Sequence, residues 1–187
     1  MNNRLVVLTS LIIVLLLASS IGGESFSAYA ARNSPPSFSG GSFLKYHDGL
    51  RINGQVIDAS KYIQKLDTPF VLPLGQSSTI TLKIFDNDGP STIKAAAIYG
   101  NSRGTLSTST GDTSIVYFID KKQVTVTDPH KLFGKVTAEY KIIHPFIYVT
   151  FHVTPIAKLD TSNFSIAAMD DKRSFANSLL LDAIKFD

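Results

Sequence analysis

Strict two-residue alternation is the feature that most narrows what this chain can fold into. From Thr79 to Phe85, Ile80, Leu82 and Ile84 take every second position, with Thr79, Thr81 and Lys83 between them. From Phe146 to Thr154, Ile147, Val149, Phe151 and Val153 alternate with Tyr148, Thr150, His152 and Thr154. Successive side chains of a strand point to opposite faces, so this period makes one face apolar and leaves the other polar. Val136, Ala138, Tyr140 and Ile142 repeat the pattern over Lys135–Ile143, and Ile115, Tyr117 and Ile119 repeat it over Thr113–Asp120. No ten-residue stretch beyond residue 30 carries a convincing helical period, so nothing is on hand to cross over between parallel strands.

Turn residues punctuate these runs. Asn53-Gly54 separates Leu50-Arg51-Ile52 from Gln55-Val56-Ile57, the signature of a two-residue hairpin. Asp86-Asn87-Asp88-Gly89-Pro90 ends the first alternating run sharply. Asp58–Asp67 is the weakest β stretch and is read as holding one helical turn. Thr68–Leu74, with Pro69 and Pro73, suits an edge strand or a crossover. Ile93–Tyr99 carries Ala95, Ala96 and Ala97, small enough to let another layer approach closely. Gly100–Gly111 is read as an exposed polar loop, and Gln123–Thr127, Asn163–Met169 and Leu179–Phe186 as further strands. Such spacing predicts an all-β fold, a single antiparallel β-sandwich of about eight to ten strands.

The N-terminus has a different character. Arg4 precedes an apolar run, Leu5–Leu17, and a small-residue stretch ends in Ala28-Tyr29-Ala30. This is the three-part pattern of a secretory signal peptide over residues 1–30. Thr9, Ser10, Ser19 and Ser20 interrupt the run, which weighs against an uncleaved span of about 20 apolar residues. The expected location is therefore secreted, or on the extracytoplasmic cell surface. Residues 31–41 (ARNSPPSFSGG) read as a flexible Ser/Pro/Gly-rich lead-in, and residues 42–187 as the sandwich.

Composition removes several function classes. The chain has no Cys, so a thiol nucleophile, a disulfide framework and a copper–thiolate centre are all excluded. Net charge is only +3, and the two basic doublets, Lys121-Lys122 and Lys172-Arg173, lie far apart along the chain. A nucleic-acid partner would leave a basic stripe interleaved with aromatics, and none is legible. No G-x-S-x-G elbow is present, and no carboxylate pair is brought together for glycoside hydrolysis.

A few positions remain as candidates for chemistry. Asp86 and Asp88, around Asn87 and before Gly89, resemble part of a calcium loop, and Asp170 and Asp171 can join them if they reach the same pole. Pro90 and the lack of a downstream Glu depart from the full pattern, and a plain turn needs the same residues. No cofactor is expected, with Ca²⁺ at this pole as the exception to test. His144 and His152 sit an even number of positions apart, which would place both on one strand face for copper or zinc if the strand ran unbroken through Pro145. Asn163-Phe164-Ser165 is a glycosylation sequon. Tyr46, Tyr62, Tyr99 and Tyr148 can form a sugar-stacking platform or serve as half-buried strand residues with wet hydroxyls.

Two segments carry a family resemblance. GQSSTITLKIFDNDGPSTIKAAAIYG (residues 75–100) and YVTFHVTPIAKLDTSNFSIAAMDDKRS (residues 148–174) resemble secreted immunoglobulin-like surface modules of archaea and other prokaryotes. The resemblance implies an immunoglobulin-like sandwich with a non-enzymatic interaction or structural role, and carries over no catalytic residues. It implies a cell-envelope or extracellular protein or glycan as partner. Such modules often add a C-terminal anchor, whereas Leu181–Asp187 contains no long apolar tail. With the leader removed, no membrane span is expected. The alternative reading is a metal- or glycan-binding accessory protein, and the third is a hydrolase.

Overall fold

The computed structural model describes residues 34–41, 44–100 and 112–187. The expected leader and the polar stretch 101–111 lie outside these residues. The alternating runs form strands, and the sandwich is present. Among the described residues, twelve strands make two sheets in place of the expected eight to ten. The first sheet contains β1 (Leu50–Ile52), β2 (Gln55–Ile57), β5 (Ser78–Phe85), β9 (Phe133–Ile143) and β10 (Phe146–Pro155), in the order β2-β1-β5-β10-β9. The second contains β3 (Ile63–Lys65), β4 (Phe70–Leu72), β6 (Ile93–Gly100), β7 (Thr113–Phe118), β8 (Gln123–Thr127), β11 (Leu159–Asp170) and β12 (Phe175–Phe186). Its order is β3-β12-β11-β6-β7-β8, with β4 also on β12. Every pairing is antiparallel except those of β3 and β4 with β12.

The first alternating runs become the centre of the core. Ile80, Leu82 and Ile84 on β5 are buried, and so are Ile147, Val149, Phe151 and Val153 on β10. Register places Leu82 beside Val149 and Ile80 beside Phe151, so two apolar rows form one continuous surface. Ile98, Ile115, Tyr117, Phe164 and Ile166 of the second sheet belong to the same buried cluster. Each such side chain contributes about 1.5–3 kcal/mol when fully buried, which makes disulfides unnecessary at this size.

The Asn-Gly hairpin forms as expected. Asn53 (φ 48°) and Gly54 (φ 82°) both lie in the left-handed region that a type I′ turn requires. Asn53 also ties the turn to β5, because its Oδ1 accepts the Thr79 N–H at 2.8 Å.

Three expectations change. Asp58–Asp67 holds no helical turn. Ile63–Lys65 instead lies parallel to Leu179–Leu181, with the Leu179 N–H donating to Tyr62 O and the Leu66 N–H to Leu181 O. The backbone groups of this segment are satisfied by a strand edge rather than by a local turn. Thr68–Leu74 does supply an edge strand, β4. Second, the described part of the lead-in is fastened down. Ser37 exchanges two backbone hydrogen bonds with Phe85, at 2.8 and 2.9 Å, and Phe38 is buried in the core. The chain passes so near Phe38 that a Cβ on Gly49 would lie 1.9 Å from its carbonyl oxygen. The packed unit accordingly starts at Ser34 rather than at residue 42. Third, the two basic doublets are not dispersed in space, as shown below.

Candidate functional site

The chain leaves β5 at Phe85 and crosses to the second sheet through residues 86–92, closing with a single 3₁₀ turn, Pro90–Thr92. Asp86 organises this crossing. Its buried carboxylate accepts the Asp88 N–H at 2.9 Å on Oδ1 and the Thr92 hydroxyl at 2.7 Å on Oδ2. Asp170 does the same at the end of β11, where its Oδ1 accepts the N–H groups of Lys172 (2.9 Å) and Ser174 (2.7 Å). The two turns meet at one pole of the sandwich, as a shared calcium site would need.

A lysine lies where they meet. The group that joins them is the Lys172 ammonium, 2.7 Å from Asp88 Oδ2. The Asp88 hydrogen bond holds that ammonium above its ordinary pKa, so the position facing Asp88 already carries a cation. Calcium needs six to eight oxygens. Asp86 and Asp170 spend theirs on backbone and hydroxyl donors, and Asp171 is exposed in the turn. Among the described residues, no three His, Cys, Asp or Glu side chains gather closely enough to hold a metal.

His144 and His152 are likewise apart. His144 is exposed in the turn between β9 and β10, before a cis peptide bond to Pro145. His152 lies inside β10, where its Nε2 sits 3.5 Å from Glu139 Oε1 on the neighbouring strand. The strand between them spans roughly 20 Å, too far for one ion. Asn163 is not at a solvent-facing strand start. It lies within β11 at a register shift, half-buried, and its Oδ1 accepts the Asp182 N–H at 3.1 Å. The amide that a glycan would occupy thus supports the irregular ladder.

The four tyrosines do not share a platform. Tyr62 precedes β3 and Tyr99 lies on β6, both at the second sheet, whereas Tyr148 lies on β10 of the first. Tyr46 is buried, its hydroxyl donating to the carbonyls of Ser37 (2.9 Å) and Lys83 (3.1 Å). Its ring is already covered by the Lys83 ammonium, 4.4 Å from the centroid.

Among the described residues, the outer face of the second sheet carries an apolar surface that no other element covers. Ala96, Ile98, Ile115, Tyr117, Ile166 and Ala168 face the core, so their neighbours face out. Register aligns Phe118, Ala95, Met169 and Phe175 in one row across β7, β6, β11 and β12. The next row aligns Val116, Ala97 and Ala167, followed by Asn177. Alanines make a low floor, and Phe118, Val116, Tyr99 and Phe175 stand around a depression of about 110 Å³. Phe175 is 61% exposed. Pockets for small molecules run to about 300–1,000 Å³, so this depression fits a protruding side chain better than a free ligand.

The same register corrects the reading of charge. Lys121-Lys122 closes the β7–β8 hairpin and Lys172-Arg173 the β11–β12 hairpin. Both hairpins end on the Phe118–Phe175 row, so both doublets lie at one end of the apolar face. Lys94 pairs with Asp120 (3.2 Å) and Lys172 with Asp88, while among the described residues no ion pair holds Lys121, Lys122 or Arg173. Only the small residues of Ile93–Tyr99 signalled this face in the sequence. The alignment of Ala167 with Ala97 depends on pairing between distant segments.

Among the described residues no helix is long and apolar enough to cross a membrane. No protein-family model matches the chain, and a search of curated proteins finds no relative.

Proposed function

We propose that this protein is a non-enzymatic interaction module of the secreted or cell-surface space, and that the outer face of its second sheet is the contact surface. The observation that supports this is the apolar Phe118–Ala95–Met169–Phe175 row, bounded at one end by turns that carry both lysines and aspartates. Strand spacing gives the two rows an area of roughly 300 Å². Functional patches on monomers run to about 300–600 Å², and a standard interface buries about 800 Å² per partner. The face therefore supplies the centre of a contact, with the turns completing its rim.

The partner is an extracytoplasmic protein with an apolar knob that fits the alanine floor. A glycan suits the face less well, because its alanine floor offers few hydrogen-bonding groups to hydroxyls. The export step rests on the leader pattern of residues 1–30.

Site-specific photo-crosslinking in the producing cells tests this reading. A crosslinker at Ala167 is expected to give one discrete protein adduct, lost on Ala97→Arg. A crosslinker at Thr150, on the outer face of the first sheet, is expected to give none. Equal labelling from both positions, or none from Ala167, defeats the assignment.

A further inference from the structure

Four strands or strand pairs end the two sheets, and three of these edges are short. β2, β3 and β4 have three residues each and β8 has five. Short edges are one way a sheet avoids joining other chains. β9 is the exception. It runs eleven residues without a proline and holds unbroken register with β10 from Val136 to Ile143. Among the described residues, no strand pairs with its other side. Its inward side chains Val136, Ala138 and Tyr140 are only half-buried at the margin of the core, and Ile142 and Ile143 are 40% and 48% exposed. A strand added here would complete their cover.

We propose that two copies of this chain associate edge to edge through β9, antiparallel about a two-fold axis at Tyr140. Charge selects the partner. The outward row of β9 reads Lys135, Thr137, Glu139, Lys141, Ile143, with all five exposed. Lysines on an edge repel a second lysine-bearing strand or leave a charge unmatched against a neutral one. Between two copies centred on Tyr140, each Glu139 instead faces Lys141 of the other copy, and the contact is made twice. The core-side row places Ala138 opposite Ile142 and Tyr140 opposite Tyr140. An axis at Thr137 also matches charge, through Lys135 and Glu139, but leaves Ile142 and Ile143 outside the paired segment. The axis at Tyr140 covers both. This inference is independent of the apolar face, which belongs to the other sheet.

A charge-swap experiment by sedimentation equilibrium, on the protein as its producing cells release it, decides the matter. The wild type is expected to be dimeric at about 0.1 mM. Glu139→Lys and Lys141→Glu each set like charges opposite each other, and each is expected to weaken self-association at least tenfold. An equimolar mixture restores both ion pairs and is expected to sediment as a dimer. Both positions are exposed, and an unchanged far-ultraviolet circular dichroism spectrum with a cooperative melt identifies a folded variant. Amide exchange supplies a measurement without mutation, because protection across residues 137–143 should rise with protein concentration. A monomeric wild type, a variant that self-associates as the wild type does, or a mixture that stays monomeric overturns the proposal.

Discussion

Lys83 Nζ lies 2.7 Å from Asp48 Oδ1, with only 12% of the lysine side chain exposed. The rings of Tyr46 and Phe146 cover the ammonium at 4.4 and 4.3 Å from their centroids. This pair fastens the segment before β1 to the outer face of β5.

The pair sets part of the acid limit of stability. Partial burial alone would raise the Asp48 pKa, but hydrogen bonds and charge from Lys83 and Arg51 outweigh it and hold the carboxyl below its ordinary 3.8. A carboxyl depressed in the fold contributes stability that is present above its unfolded pKa and is lost as pH falls through the folded one. Denaturant midpoints should therefore fall between about pH 5 and pH 2, and the slope should be shallower in Asp48→Asn. An identical slope in the variant removes Asp48 from the account.

Tyr46 sets a matching alkaline limit. Burial first, then the nearby Asp48 charge, push its phenol far above the ordinary 10.0. The fold therefore favours the neutral phenol, and stability is lost as pH rises past the unfolded value of about 10. Tyr46→Phe should flatten that limb. It should also cost about 1–3 kcal/mol at neutral pH by removing the hydroxyl that donates to the Lys83 carbonyl and shares the Ser37 carbonyl with the Phe85 N–H. Chemical unfolding at neutral and alkaline pH reads both effects.

Asp86 and Asp88 should behave differently despite their proximity. Asp86→Ala removes a buried acceptor from two donors and should cost about 1–3 kcal/mol. Asp88→Ala loses an ion pair to a solvated lysine and should melt close to the wild type. Calcium should leave the melting temperature of all three proteins unchanged. A calcium-dependent rise, lost in Asp86→Ala, would reinstate the cation site.

Gly54 has open space where a Cβ would go, so Gly54→Ala tests backbone conformation alone. Its φ of 82° should make the change cost about 1–2 kcal/mol. Thermal unfolding showing no loss would mean that the β1–β2 hairpin contributes little to the fold.

The alternating runs were readable because a strand's two faces are written locally. Every residue of the Ile147, Val149, Phe151, Val153 row was assigned inward from its period, and all four are buried. Asn53-Gly54 was readable for a similar reason, since two adjacent residues settle the turn. What was hidden depends on pairing across long separations. Nothing near Ile63 announces Leu179, and the segment was read as a helical turn. Nothing near Lys121 announces Arg173, so the doublets looked scattered. The aspartate turns show the same limit. The sequence marks Asp86 and Asp170 as candidates beside turns, but it does not say that Lys172 reaches Asp88.

The parallel pairing of β3 and β4 with β12 has a consequence for the order in which the molecule can be made. Ile63–Lys65 and Phe70–Leu72 hydrogen-bond to residues well over a hundred positions later. A chain emerging from its N-terminal side can close the β1–β2 hairpin early, but these two strands have no ladder until β12 exists. Non-local contacts of this kind slow folding, because the intervening chain must be closed before they form. The nascent polypeptide therefore keeps an unfinished second sheet until synthesis passes Phe175–Phe186. The export proposed above would gain from such a delay, because a chain threaded through a channel has to stay unfolded.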